Sequence, residues 1–229
     1  MAPLLLLPGL SSTPEIWDGV RSLLPAGVQA RALEFPALED IDAIAAGVLA
    51  GAPPRFALAG FSFGGYVALA IAAQAMDRIE RLALVSTGPN ADSPEGAANR
   101  DRLIEIARKD YVSIDGRMKK LLLHPDHLED GAIDEKRSRM SREYGVERYV
   151  AQQRAAQRRP ARLEVLDRIR VPTLVAVGRE DRITPLAQHE DMARRIPAAE
   201  LVVFERCGHL SPLEATTGLA QALAKWMTH

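Results

Sequence analysis

Apolar residues in this chain fall into two patterns. Short unbroken runs of strand length occupy residues 3–7, 55–59, 81–86, 172–178 and 200–204. A weaker run at 28–35 has Gln29 and Arg31 alternating with apolar residues. Between the runs, apolar residues recur every third or fourth position, the period of a helix with one buried face. A strand apolar on both faces, such as 3–7, belongs inside a parallel sheet covered on both sides. Pro8-Gly9 ends it, and Ser12-Thr13-Pro14-Glu15 opens a helix that buries Trp17, Val20 and Leu24. Two caps fit that start: Ser12 with Glu15 as a capping box, or Thr13 with Pro14 at the first helical position. Further helices are predicted over 41–49, over the Ala-rich 66–76, from Thr184-Pro185 to 196, and from the capping box Ser211-Pro212-Leu213-Glu214 to 227.

From 90 to 165 the runs vanish. Leu103, Ile106 and Ala107, then Met118, Leu121 and Leu122, then Val146, Tyr149 and Val150 keep helical spacing among many charges. The alternation on either side implies a parallel sheet with right-handed crossovers. The expected organisation is an α/β core of residues 1–89 and 166–229, with about six strands, interrupted by a helical block at 90–165.

Composition narrows the classes. At 229 residues with 47% hydrophobic content, the chain has material for one sizeable core. A net charge of −1 points away from nucleic acid or an anionic membrane as partner. Residues 100–170 hold 18 of the 29 basic residues against 13 acidic ones, but aromatics to stack bases are nearly absent there. That block reads as solvated helix faces, with most of its Arg residues in water. The single Cys207 excludes an internal disulfide, and the five His have no zinc-ligand spacing, so neither metal nor cofactor is expected. The N-terminal apolar run is short and lacks a basic flank, and no stretch approaches membrane-spanning length. The expectation is a cytoplasmic protein acting on a small molecule. Oligomeric state is not legible.

Chemistry concentrates where the 55–59 strand meets the Ala-rich helix. Gly60-Phe61-Ser62-Phe63-Gly64 places Ser62 in a turn so tight that a Cβ at 60 or 64 would clash. The hydroxyl is lifted over the sheet edge at the positive end of a helix. Ligands bind beyond the carboxyl ends of such strands. Asp181 follows the 172–178 strand and His209 follows the 200–204 strand, giving a nucleophile, an acid and a base in loops at one edge. Glu180 competes with Asp181, but its longer side chain is expected in solvent. His124, His127, His189 and His229 are expected at the surface, Cys207 as a small buried filler, and Glu214 as a cap partner.

These residues resemble the α/β-hydrolase superfamily. Gly60-Phe-Ser-Phe-Gly-Gly65, Gly178-Arg-Glu-Asp-Arg-Ile-Thr-Pro185 and Cys207-Gly-His-Leu-Ser-Pro-Leu-Glu214 carry the resemblance, which spans the chain outside the helical block. It implies an α/β-hydrolase fold, a doubly wound, mostly parallel sheet, with 90–165 as the variable cap. Within the family the chain is most similar to small esterases, enol-lactonases and carbon–carbon bond hydrolases. Its first strand, residues 3–7, is expected to match the third strand of the fold, and Pro8-Gly9 stands where His-Gly is usual. A serine at residue 62 excludes the branches that need an aspartate there, the epoxide hydrolases and haloalkane dehalogenases. Position 86, the family's alternative acid site, holds Ser86.

The implied chemistry is hydrolysis of a small ester or lactone through a Ser62 acyl-enzyme, with His209 as base and Asp181 fixing its tautomer. The alternatives are carbon–carbon cleavage or elimination by the same triad, and a ligand-binding homologue without turnover. The oxyanion would be received by the Phe63 amide and by Leu10 or Ser11. Phe61 and Phe63 either wall the acyl pocket or pack the turn, and Ser11 is a pocket candidate.

Overall fold

A computed structural model describes residues 2–197 and 199–228. Six strands form one sheet: β1 (Leu4–Leu7), β2 (Ala30–Ala32), β3 (Phe56–Phe61), β4 (Ile79–Val85), β5 (Thr173–Gly178) and β6 (Ala199–Phe204). Their order is β2-β1-β3-β4-β5-β6, and every pairing is parallel. The helices are α1 (Asp18–Ser22), α2 (Ile41–Gly51), α3 (Phe63–Ala75), α4 (Pro94–Lys109), α5 (Tyr111–Leu122), α6 (Gly131–Tyr144), α7 (Val146–Arg158), α8 (Leu163–Leu166), α9 (Leu186–Arg195), α10 (Ser211–Glu214) and α11 (Thr216–Thr228). No helix among the described residues is long and apolar enough to cross a membrane.

The continuous apolar strands are explained by two cores, one on each face. Leu5 and Leu7 enter the core under α2, α3, α8 and α9, while Leu4 and Leu6 enter the one under α1 and α11. Strand periodicity sends alternate residues to opposite faces, so a strand buried on both has no polar positions. The chain leaves β1 for β2 on one side and returns to place β3 on the other. The carboxyl ends of β1 and β3 therefore flank the switch point where a crevice opens.

The helices α4 to α7 all lie between β4 and β5 in sequence. They have a small core of their own, Ala107, Ile114, Tyr144 and Tyr149, which Leu10 joins from the loop after β1. The expectation that most Arg residues here are solvated has exceptions in Arg137, Arg159 and Arg100, whose side chains are 7%, 9% and 19% exposed and pair with carboxylates.

Several boundaries move for identifiable reasons. Strand β2 spans only Ala30–Ala32, because the Val28 amide closes a turn onto the Pro25 carbonyl and Pro36 blocks extension beyond. Thr13 with Pro14 is the start adopted after β1, as a 3-10 turn over Pro14–Trp17, and Glu15 pairs with Arg139 of α6. The last helix is two, α10 and α11. They part at Ala215, whose φ of −125° and ψ of 36° leave the helical region, and the Thr216 hydroxyl donates back to the Pro212 and Leu213 carbonyls. Pro185, not Thr184, is the N-cap of α9, because the Thr184 hydroxyl is drawn to Asp181.

Candidate active site

Ser62 joins β3 to α3 with φ 51° and ψ −115°, a conformation few side chains adopt. Such strain costs about 1–3 kcal/mol and persists only where neighbours enforce it. Here the Ser62 amide donates to the Val85 carbonyl (2.9 Å), and the Ser62 carbonyl accepts from the Gly65 amide (2.9 Å) and the Thr87 hydroxyl (2.8 Å). A Cβ on residue 60 would overlap the Gly64 carbonyl, and one on residue 64 would overlap the carbonyls of Leu7 and Pro8. The two glycines thus let the turn close on itself and seat it against the end of β1.

Asp181 and His209 arrive from the ends of β5 and β6. His209 Nε2 lies 2.9 Å from Ser62 Oγ, and His209 Nδ1 lies 2.9 and 3.0 Å from the two Asp181 oxygens. Both side chains are almost wholly buried. An ionised carboxylate only accepts, so Nδ1 carries the proton and Nε2 faces the hydroxyl as acceptor. Asp181 also accepts from the Ile183 amide (2.8 Å), the Thr184 amide (2.9 Å) and the Thr184 hydroxyl (2.8 Å). Burial opposes its charge, but the His209 imidazole and the Thr184 donors outweigh burial and hold the carboxyl below its usual range.

The loop after β1 supplies the other half of the site. The Ser12 amide donates to the Gly9 carbonyl (3.2 Å), closing a turn whose central residues are Leu10 and Ser11. Ser11 has φ 57°, where glycine is the usual occupant. The Leu10 amide makes no backbone hydrogen bond among the described residues, and Phe63, as the first residue of α3, has no intrahelical acceptor. Leu10, Ser11, Ser62, Phe63 and His209 all line one cavity of about 670 Å³. Its far walls come from α4 to α7, through residues that include Leu103, Ile106, Met118 and Tyr149. Phe61 and Phe63 both line it and both pack the turn. Phe61 lies edge-on to Trp17 (6.4 Å) and against the His209 ring (5.5 Å), and Phe63 against Phe35 (5.8 Å). Cys207 is fully buried, and burial pushes its thiol pKa up.

Four expectations are corrected. Glu180 is only partly in solvent, its side chain 34% exposed; its carboxylate accepts from the Cys207 amide (3.1 Å). Glu214 does more than cap a helix. Its buried carboxylate accepts from the amides of Leu210 (3.0 Å), Gly208 (3.2 Å) and His124 (2.7 Å) and from His127 Nδ1 (3.0 Å). The His209 amide in turn donates to the Leu122 carbonyl (2.7 Å), so the His209 loop is tied to the segment after α5. His124 and His127 are accordingly half-buried rather than on the surface. His189 is fully buried, while His229 lies outside the described residues.

His189 is the residue most misjudged by sequence. The Thr87 amide donates to its Nε2 (3.0 Å), and its Nδ1 lies 3.2 Å from the Pro185 carbonyl. It therefore braces the loop whose Thr87 hydroxyl holds the Ser62 turn. The signal was present: His189, Met192 and Ile196 form one buried helical stripe. Burial lowers its pKa to about 4. The unfolded chain, with an ordinary imidazole near 6.5, binds the extra proton first as pH falls, so stability is lost from about pH 6.5 down towards 4. The loss expected by about pH 4.5 is roughly 2–3 kcal/mol. A His189→Gln variant, which keeps a neutral acceptor, should lack this component. Urea unfolding at both ends of the window checks it; equal pH dependence in the two proteins would remove His189 as its source.

Comparison with known proteins finds relatives along nearly the whole chain. A model described as the alpha/beta hydrolase family matches residues 4–222. The pimeloyl-[acyl-carrier protein] methyl ester esterase of Nitrosomonas europaea is 30% identical over 224 residues, covering 90% of this chain and 88% of that protein. A thermophilic esterase from Thermogutta terrifontis, solved with malate bound, superposes with a TM-score of 0.90 at 30% identity, covering 100% of this chain and 90% of the other. The enol-lactonase from Burkholderia xenovorans LB400 gives 0.89 at 22% identity, covering 100% and 92%, a likeness of fold.

Proposed function

Because the chain belongs to the α/β-hydrolase family, we propose that it hydrolyses a small carboxylic ester or lactone through an acyl-enzyme on Ser62. The observation that carries this reading is the unbroken hydrogen-bond path from Asp181 through His209 to Ser62 Oγ, opening onto the cavity. His209 Nε2 takes the hydroxyl proton as Oγ attacks the substrate carbonyl carbon. Asp181 keeps the imidazole in the productive tautomer and stabilises its charged form. The oxyanion accepts hydrogen bonds from the Phe63 and Leu10 amides, worth about 3–4 kcal/mol each in the transition state. Collapse breaks the bond to the alcohol, which leaves with the proton held on His209. A water, deprotonated by the same nitrogen, then attacks the acyl carbon and releases the acid and Ser62.

Residues 90–165 act in this reading as a cap that closes the cavity over the acyl group. Esterases among the relatives support oxygen-ester chemistry, and the name of the Nitrosomonas protein supports a short alcohol as leaving group. The test is covalent labelling of the purified protein by a fluorophosphonate probe, with mass spectrometry to locate the adduct. The expected adduct is on Ser62, together with turnover of p-nitrophenyl acetate. Folded protein that takes up no probe and turns over no ester would remove the proposal.

A further inference from the structure

The cavity wall at the start of α4 is not neutral. Asp92 and Arg100 both line it, next to Tyr66, Tyr149 and Gln153. Arg100 donates through Nε and Nη2 to the Asp92 carboxylate and through Nη1 to the Gln153 amide oxygen (2.6 Å). Behind them Arg159 donates through Nη1 to the same carboxylate (2.7 Å) and lies over the Tyr66 ring, its guanidinium carbon 4.0 Å from the centroid. Among the described residues, the ion pairs of Arg100 and Arg159 reach this one carboxylate. Two guanidinium charges against one carboxylate leave one positive charge unmatched.

That imbalance sits where charge is costly. The side chains of Arg159 and Asp92 are 9% and 8% exposed, and Arg159 Nε is buried with no hydrogen-bond partner. Burial opposes the Asp92 charge, yet Arg100 and Arg159 hold its carboxyl below the usual range, so it does not escape by protonation. An excess buried cation is destabilising unless an anion joins it. A substrate entering the cavity can supply that anion. Tyr66 fixes the placement: it is four residues after Ser62, one turn along α3, so the cationic end faces the same cavity as the nucleophile. Leu103, Ile106 and Tyr149 line the apolar part of the wall.

We propose that Arg100, supported by Arg159, forms a subsite for a carboxylate on the substrate, remote from the ester being cleaved. The preferred substrate class is then the half-ester of a dicarboxylic acid. Arg matches this group because its planar donors meet both carboxylate oxygens. Asp92 limits the subsite to one net positive charge and orients Arg100. The inference rests on the hydrolase reading for the chemistry, but the charge preference can be measured without turnover.

The experiment compares the monomethyl and dimethyl esters of one medium-chain dicarboxylic acid. Binding is measured by calorimetry in the Ser62→Ala protein, and kcat/KM in the protein with Ser62 intact. The half-ester should bind at least about tenfold more tightly than the diester, and its kcat/KM should be higher by a similar factor. Arg100→Gln should reduce this ratio about tenfold, towards one. Asp92→Asn, which leaves two cations and no anion, should raise it severalfold. Because each ratio is taken within one protein preparation, partial unfolding of a variant cancels. A ratio near one with Ser62 intact, or a ratio that both substitutions lower together, would overturn the inference. Charge-selective binding without turnover of either ester would overturn the hydrolase reading and leave the subsite standing.

Discussion

Ser62→Ala is expected to lower kcat for ester hydrolysis by about 10⁴- to 10⁶-fold. In the proposed mechanism the substitution removes the atom that forms the acyl bond, and nothing nearby replaces it. Of the two other nucleophiles close to His209 in sequence, Cys207 is buried with its thiol pKa pushed up, and Ser211 is buried with its hydroxyl engaged by that of Ser86 (2.6 Å). The fold should survive. Alanine at φ 51° is strained about as much as serine, and the Val85, Gly65 and Thr87 contacts use the backbone of residue 62. Unchanged thermal melting together with lost turnover and lost probe labelling is the expected pair of results. Turnover within tenfold of the parent protein would show that another group performs the attack.

Asp181→Asn is expected to lower kcat by about 10⁴-fold near neutral pH. The hydrogen bonds explain the size of the effect. One Asp181 oxygen is engaged by the Ile183 and Thr184 amides, which require an acceptor. An asparagine must place its carbonyl there, which turns its NH₂ towards the Thr184 hydroxyl and His209 Nδ1. An imidazole facing a donor at Nδ1 keeps its proton on Nε2, where it meets Ser62 Oγ as a donor and cannot act as base. Neutral-pH kcat with p-nitrophenyl acetate measures the effect, and the rate of fluorophosphonate labelling should fall with it. A loss below tenfold would show that the His209 tautomer is set by something other than residue 181.

Much of this arrangement is legible in the chain because it is local. The Ser62 turn is written in consecutive residues, since the backbone approach that excludes a Cβ involves positions 60 and 64 themselves. Asp181 and His209 could be located because parallel strands all end at one sheet edge, so a residue's place after its strand gives its place in space. Phe61 and Phe63 read from sequence as either turn packing or pocket wall, and each both packs against a neighbouring ring and lines the cavity.

What was missed involves groups whose surroundings come from several distant elements. Thr184 reads as a helix cap from its neighbours, yet Asp181 claims its hydroxyl. Glu214 also reads as a cap. Its carboxylate in fact gathers the His209 loop and the segment after α5, separated from it by 87 to 90 residues at His127 and His124. The burial of His189 is legible in its stripe with Met192 and Ile196, but nothing beside it in the chain marks the amide it accepts from, Thr87, 102 residues earlier.

By itself the sequence determined the parallel sheet, its two-sided cores and the edge at which a serine, a histidine and an aspartate would stand. Apolar periodicity and tight-turn chemistry act over a few residues and need no partner. Only the tertiary structure decided which charges in the helical block are buried, and that Asp92 meets both Arg100 and Arg159. Pairing depends on how helices far apart in the chain pack over the cavity, and a count of charges along the chain, basic or acidic, holds no information about that packing.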